Sequence, residues 1–146
     1  HKSILYATDI NPQVIKMAKE GIFPLRNMQT YSENYINAGG KKDFSSYYTA
    51  KYDRAKFNEN LKSNIIFSTH NLVSDSSFNE FQLIFCRNVL IYFEKGLQDK
   101  VLHLFDQSIA TSGFLTLGTK ETIKFSSIAN NYRQISPVQK IWKKIT

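Results

Sequence analysis

Phe81-Gln82-Leu83-Ile84-Phe85-Cys86-Arg87-Asn88-Val89-Leu90-Ile91-Tyr92-Phe93 is a long, mostly apolar run interrupted by the polar pair Arg87-Asn88. The first six residues read as an apolar strand. An ionised arginine is rarely buried without a partner, so Arg87-Asn88 marks the place where the strand leaves the core and its donors need an anion or a carbonyl. Beyond it, Leu97, Val101, Leu104, Phe105 and Ile109 fall on one face of a helix predicted from about Lys95 to Ala110. Strand, polar boundary and helix in that order are the building unit of an α/β sheet.

The same unit recurs upstream. Ser3-Ile4-Leu5-Tyr6-Ala7-Thr8 is a mostly apolar, uncharged run that suits a buried parallel strand. It ends in Asp9. Asn11-Pro12 then supplies a helix cap with proline at the first helical position, Val14, Ile15, Met17 and Ala18 supply an apolar face, and Gly21 ends the helix. From Ile22 to about Asn64 the pattern loosens into a tyrosine-rich stretch, read as a helical lead followed by a small antiparallel hairpin within Tyr47 to Phe57. A further strand is predicted at Ile65 to Thr69. Downstream of the long helix come a turn at Ser112-Gly113, a strand from Phe114 to Leu117, and two β-rich segments at Tyr132 to Ile135 and Ile141 to Ile145. Ser136-Pro137 separates the last two, which predicts an antiparallel pair at a sheet edge. The sum is an α/β sheet of mainly parallel strands.

A chain of 146 residues, 42% of them hydrophobic, is enough for one domain with a real core. Apolar runs such as Val89 to Phe93 are far shorter than the roughly 20 residues needed to span a bilayer. Cys86 is the single cysteine, so no internal disulfide is available, and a reducing, cytoplasmic setting is expected. The formal charge of +7 favours acidic partners without naming one. No nucleic-acid motif accompanies it.

Three positions beyond strand ends carry candidate chemistry. Asp9 can accept two hydrogen bonds from a ribose diol, as acids at this place do in nucleotide-binding sheets, or it can simply cap the helix that follows. His70-Asn71-Leu72 and Arg87-Asn88 lie where such sheets bind ligands. His70 reads as an ordinary hydrogen-bonded histidine, and with Cys86 it makes no metal-ligand spacing. Cys86 reads as a small buried apolar residue. Tyr92 is either a core tyrosine in an apolar run or a polar handle for a ligand.

Ala7-Thr8-Asp9-Ile10-Asn11, Asn71-Leu72, and Cys86-Arg87-Asn88-Val89-Leu90-Ile91-Tyr92-Phe93 together resemble the successive motifs of the CheR family of chemotaxis receptor methyltransferases. The resemblance runs in order over essentially the whole chain, and the Cys86 to Phe93 run is its most specific part. It implies a Rossmann-like class I fold that binds S-adenosylmethionine, with a small antiparallel β subdomain inserted from about Lys42 to Asn64. The implied activity is esterification of glutamate side chains on the cytoplasmic helices of chemoreceptors, with S-adenosylhomocysteine as the second product. Asp9 would hold the ribose hydroxyls, Asn71 and Leu72 would frame the adenine, and Arg87 and Asn88 would line the cofactor pocket. Tyr92 would face the methyl and sulfonium region as the catalytic residue, and no metal is implied.

The family's glycine-containing cofactor loop, the strand before it and the preceding helical domain lie ahead of the segment that matches Ser3 to Asp9. The resemblance therefore implies a partial catalytic domain that lacks its first strand, is inactive alone, and leaves the strand of Ser3 to Thr8 without a neighbour. Such an open apolar edge is expected either to self-associate or to be closed by a shift onto the next strand. Gly118-Thr119-Lys120-Glu121 stands where the family usually has Gly-His-Ser-Glu. In the β subdomain, where some members dock a receptor's carboxyl-terminal peptide, Lys51, Arg54 and Lys56 interleave with Tyr48, Tyr52 and Phe57. The competing expectation is a degenerate methyltransferase-like module that binds a receptor or scaffold protein without catalysis.

Overall fold

The computed structural model describes residues 3–146, in two compact units: a first that reaches His70 and a second spanning Asn71–Thr146. The first unit opens with β1 (Leu5–Asp9) and α1 (Pro12–Glu20). The helix begins where the sequence says it should. Asn11 Oδ1 accepts from the Gln13 amide, and Pro12 costs nothing at a position whose N–H has no helical partner. It stops at Gly21, whose left-handed φ of 66° lets its amide reach the carbonyls of Met17 and Ala18.

β2 (Ile22–Pro24), α2 (Met28–Asn37), β3 (Tyr48–Lys51) and β4 (Arg54–Phe57) follow, and the three strands form a sheet in the order β2-β4-β3. The β3–β4 hairpin is antiparallel, with Tyr48 opposite Phe57 and Lys51 opposite Arg54. Its packed face is aromatic. Phe44, Tyr48 and Phe57 stack edge to face or tilted at centroid distances of 5.9–6.1 Å, and Tyr35 and Tyr47 join through hydroxyls 3.0 Å apart. The basic residues Lys51, Arg54 and Lys56 are exposed. Alternation along the two strands thus sorts Tyr48 and Phe57 inward and the cations outward, while Tyr52, in the turn between them, is 89% exposed.

β5 (Ile65–Thr69) closes the unit by pairing in parallel with β1, Leu5 opposite Ile65 through Asp9 opposite Thr69. This corrects the expectation that β1 has no neighbour at all, but among the described residues no strand pairs with its other edge. The expected two-sided burial is corrected as well: Leu5 is 55% and Ile4 62% exposed, because β5 is the one strand that pairs with β1 among the described residues. On α1, Ile15 is buried, whereas Val14 and Met17 are exposed.

The second unit contains β6 (Phe81–Cys86), α3 (Lys95–Ser108), β7 (Ile109–Leu117), β8 (Tyr132–Ser136) and β9 (Ile141–Lys144). Its sheet runs β6-β7-β9-β8, with β6 and β7 parallel and the other two pairings antiparallel. The terminal pair at the sheet edge is as predicted. This four-stranded sheet is thus mixed rather than mainly parallel, while β1 and β5 pair in parallel and β2, β4 and β3 are antiparallel. β7 starts five residues earlier than expected, directly from α3: the predicted turn at Ser112-Gly113 is instead an irregularity within the strand, with Ser112 at φ 69° and a register shift between Phe81 and Leu83 on its partner.

The core of this unit gathers Val101, Leu102 and Phe105 of α3 with Leu115 and Leu117 of β7, Tyr132 of β8 and Trp142 of β9. Lys144 buries its ammonium at the core's edge, where it bonds the carbonyls of Asp106 and Ile109 and lies 3.5 Å from the Asp106 carboxylate. Burial and that same carboxylate push the Tyr132 phenol upward, so it stays neutral. No helix of the described residues is long and apolar enough to cross a membrane.

Candidate functional site

Each candidate residue takes its place from the strand or loop that carries it. Asp9 ends β1 and is half-buried. Its backbone carbonyl accepts from the His70 amide at 3.1 Å, and its Oδ1 accepts from the Asn11 amide at 2.8 Å. Asn11, not Asp9, is the helix cap. Oδ2 of Asp9 accepts no hydrogen bond among the described residues, so the carboxylate keeps acceptor capacity for a ligand hydroxyl. Asp9 belongs to the first unit; the other candidates belong to the second.

Asn71 and Leu72 open the second unit in a short turn. Asn71 Oδ1 accepts from the Val73 amide at 2.9 Å, and the Asn71 amide donates to Asp75 Oδ2 at 2.8 Å. These bonds fix the Asn71 backbone while its side-chain amide NH2 remains a donor. Leu72 is half-buried against the core of the unit.

At the end of β6 the chain meets the core's edge in Cys86, which is buried. Burial first, and then the Glu121 carboxylate, push its thiol from 9.0 up to about 12. It is the small apolar residue the sequence suggests, not a nucleophile. Because the folded chain keeps this proton where the unfolded chain releases it, stability from this group is intact below pH 9.0 and declines as pH rises toward about 12. Iodoacetamide at pH 8 should accordingly label Cys86 only in denaturant. Labelling of the folded chain at the rate of a free thiol would place the sulfur in a different environment.

Arg87, Asn88 and Tyr92 follow on one loop and are all exposed, Tyr92 at 80%. Exposure removes the core-tyrosine reading of Tyr92. Among the described residues Arg87 has no ion-pair partner, so its guanidinium is available to a ligand. The side chains point outward while the backbone is held from two sides. Gln98 of α3 donates through Nε2 to the carbonyls of Leu90 at 3.0 Å and Phe93 at 2.8 Å. From the other side the Glu121 carboxylate takes the loop's amides: Oε2 accepts from Asn88 at 3.0 Å, and Oε1 accepts from Val89 at 2.9 Å and Leu90 at 2.8 Å. Oε2 also accepts from the Gly118 amide.

Asn88 has φ 60°, a left-handed conformation that asparagine tolerates better than most residues. Gly118 is required for a different reason. A Cβ there would collide with Asn88 Oδ1 and lie 2.7 Å from Glu121 Oε2 and 2.8 Å from the Asn88 nitrogen. Glu121 is not among the site residues that the sequence suggests. The signal available was an acid in a Gly-Thr-Lys-Glu turn directly after a buried strand, where a solvated side chain would be ordinary.

Comparison with known proteins places the chain in a family. The profile described as "CheR methyltransferase, SAM binding domain" matches residues 1–140. Cher3 of Pseudomonas putida, a protein named as a methyltransferase, is 47% identical over 143 residues, which cover 98% of this chain and 52% of Cher3. The chemotaxis protein methyltransferase of Borreliella burgdorferi is 32% identical over 82% of this chain and 41% of its own length. Chemotaxis protein methyltransferase 1 of Vibrio cholerae is 32% identical over 80% and 41%, respectively. The chain belongs to the CheR methyltransferase family and carries its S-adenosylmethionine-binding domain, an α/β domain of the class I methyltransferase fold. It spans about half the length, or less, of these relatives.

S-adenosylmethionine is accordingly the cofactor of this domain, and the residues present fit it. In the first unit β1 ends in a carboxylate with an uncommitted oxygen, a group able to accept from a diol, and in the second unit, taken by itself, β6 ends in exposed donors and an exposed aromatic ring, groups able to meet a charged nucleoside.

Proposed function

We propose that the protein containing this chain transfers a methyl group from S-adenosylmethionine to glutamate carboxylates on the cytoplasmic helices of chemoreceptors, giving methyl esters. The observation that carries this reading is the loop after β6, which exposes Arg87, Asn88 and Tyr92 on a backbone fixed by Gln98 and Glu121. The cofactor supplies an activated methyl group on a cationic sulfur. Asp9 accepts hydrogen bonds from the ribose hydroxyls, Asn71 and Leu72 frame the adenine, and Arg87 and Asn88 line the pocket. Tyr92 donates to the substrate carboxylate or lies against the sulfonium.

A glutamate carboxylate, with a reference pKa of about 4.3, is already ionised at neutral pH. No general base is needed. The residues have to orient one carboxylate oxygen and strip part of its water, so positioning and electrostatics are the main catalytic terms. Cytoplasmic placement follows from that substrate. The exposed cations Lys51, Arg54 and Lys56 on the β3–β4 hairpin suit an acidic receptor peptide added to the sheet edge.

The test is incubation of the full-length protein with methyl-labelled cofactor and receptor cytoplasmic fragments. Alkali should release the label as methanol. Absence of alkali-labile label with every cognate receptor would replace the enzyme by a non-catalytic module that binds a receptor or scaffold protein.

A further inference from the structure

Glu121 is 4% exposed, and its carboxylate has no counter-cation in the ion pairs of the described residues. A buried carboxylate without a cation must be satisfied by hydrogen bonds. Here four backbone amides do so, two on each oxygen: Asn88 and Gly118 on Oε2, Val89 and Leu90 on Oε1. Three of the four come from the loop some thirty residues earlier in the chain, between 31 and 33 positions away. The fourth belongs to Glu121's own turn, closed by its amide on the Gly118 carbonyl at 3.0 Å. The turn that ends β7 is thereby tied to the loop that ends β6.

We propose that Glu121 is a positioning residue for the cofactor site: by collecting these amides it holds the loop in the conformation that presents Arg87, Asn88 and Tyr92 to the ligand. This role rests on the methyltransferase reading above. Glu121 touches no ligand in this scheme. It acts through the left-handed backbone of Asn88, φ 60°, which needs an acceptor for an amide turned away from ordinary secondary structure. Both oxygens are needed as acceptors, which makes the proposal specific. Glu121→Gln is nearly isosteric, yet it turns one oxygen into an amide NH2 group that faces two N–H donors.

Two measurements test it in the full-length protein. The first needs no variant: in the unliganded wild type the amides of Asn88, Val89, Leu90 and Gly118 should resist hydrogen exchange as well as amides of β7. Exchange at the rate of an open loop would overturn the proposal. The second is calorimetry with S-adenosylhomocysteine, at a temperature where circular dichroism shows wild type and Glu121→Gln equally folded. The variant should bind about 10-fold more weakly or worse, and its loop amides should lose protection by a similar factor. A purely structural role would lower the melting temperature and leave affinity within about twofold of wild type. That result overturns the role of Glu121 alone. A wild type that fails to bind S-adenosylhomocysteine overturns the methyltransferase reading, and the positioning role with it.

Discussion

Trp142→Ala should lower the unfolding free energy of the second unit by about 3–5 kcal/mol, the usual cost of deleting a large buried aromatic side chain. Trp142 is the chain's single tryptophan and is 2% exposed. It sits at the middle of β9, opposite Leu115 of β7 on one side and Gln134 of β8 on the other. The indole therefore fills the place where three strands meet the same core that receives α3. With total stabilities of about 5–15 kcal/mol for ordinary domains, such a loss leaves the unit marginal. Urea titration followed by circular dichroism should show an earlier midpoint with an unchanged slope. Trp142→Phe, which keeps most of the volume, should lose only about 1–2 kcal/mol. A loss below about 1 kcal/mol for the alanine variant would mean that the indole does not hold the centre of the sheet.

Residues with strong local preferences made much of this fold legible in the sequence. Asn11-Pro12 and Gly21 bound α1 as their cap chemistry requires, and Val101 and Phe105 on α3 are buried as their spacing predicts, whereas Ile109, expected on the same helical face, is the first residue of β7. Ser112-Gly113 misled because these residues favour turns, whereas β7 absorbs them as a kink with Ser112 at φ 69°. Ser3 to Thr8 misled differently. Its apolar composition reports a strand suited to burial, but burial depends on which strands lie beside it, a long-range property that composition does not carry. Tyr92 shows the same limit in reverse, since an apolar run conceals a side chain that is 80% exposed.

The candidate site divides along the same line. Asp9, Asn71, Arg87 and Asn88 stand out because polar residues at the ends of apolar strands need partners. Glu121 does not, although its carboxylate holds the backbone on which Arg87 and Asn88 are mounted. Its importance lies in bonds to residues more than thirty positions away, and only the pairing of β6 with β7 brings them within reach.

Asp9→Ala in the full-length protein should weaken S-adenosylhomocysteine binding by about 10- to 100-fold, corresponding to roughly 1.5–3 kcal/mol for hydrogen bonds to a charged acceptor. The structure complicates that variant, because Asp9 Oδ1 also accepts from the Asn11 amide just before α1. Alanine removes both functions at once. Asp9→Asn separates them: its Oδ1 can still accept from Asn11, so the entry to α1 is kept, but the charge and one of the two acceptor oxygens are lost. If the ribose diol is what Asp9 serves, the asparagine variant should fold like wild type and still bind at least about 5-fold more weakly by calorimetry. Wild-type affinity in the asparagine variant, with loss only in the alanine variant, would assign Asp9 to the turn before α1 and leave the ribose without its proposed acceptor.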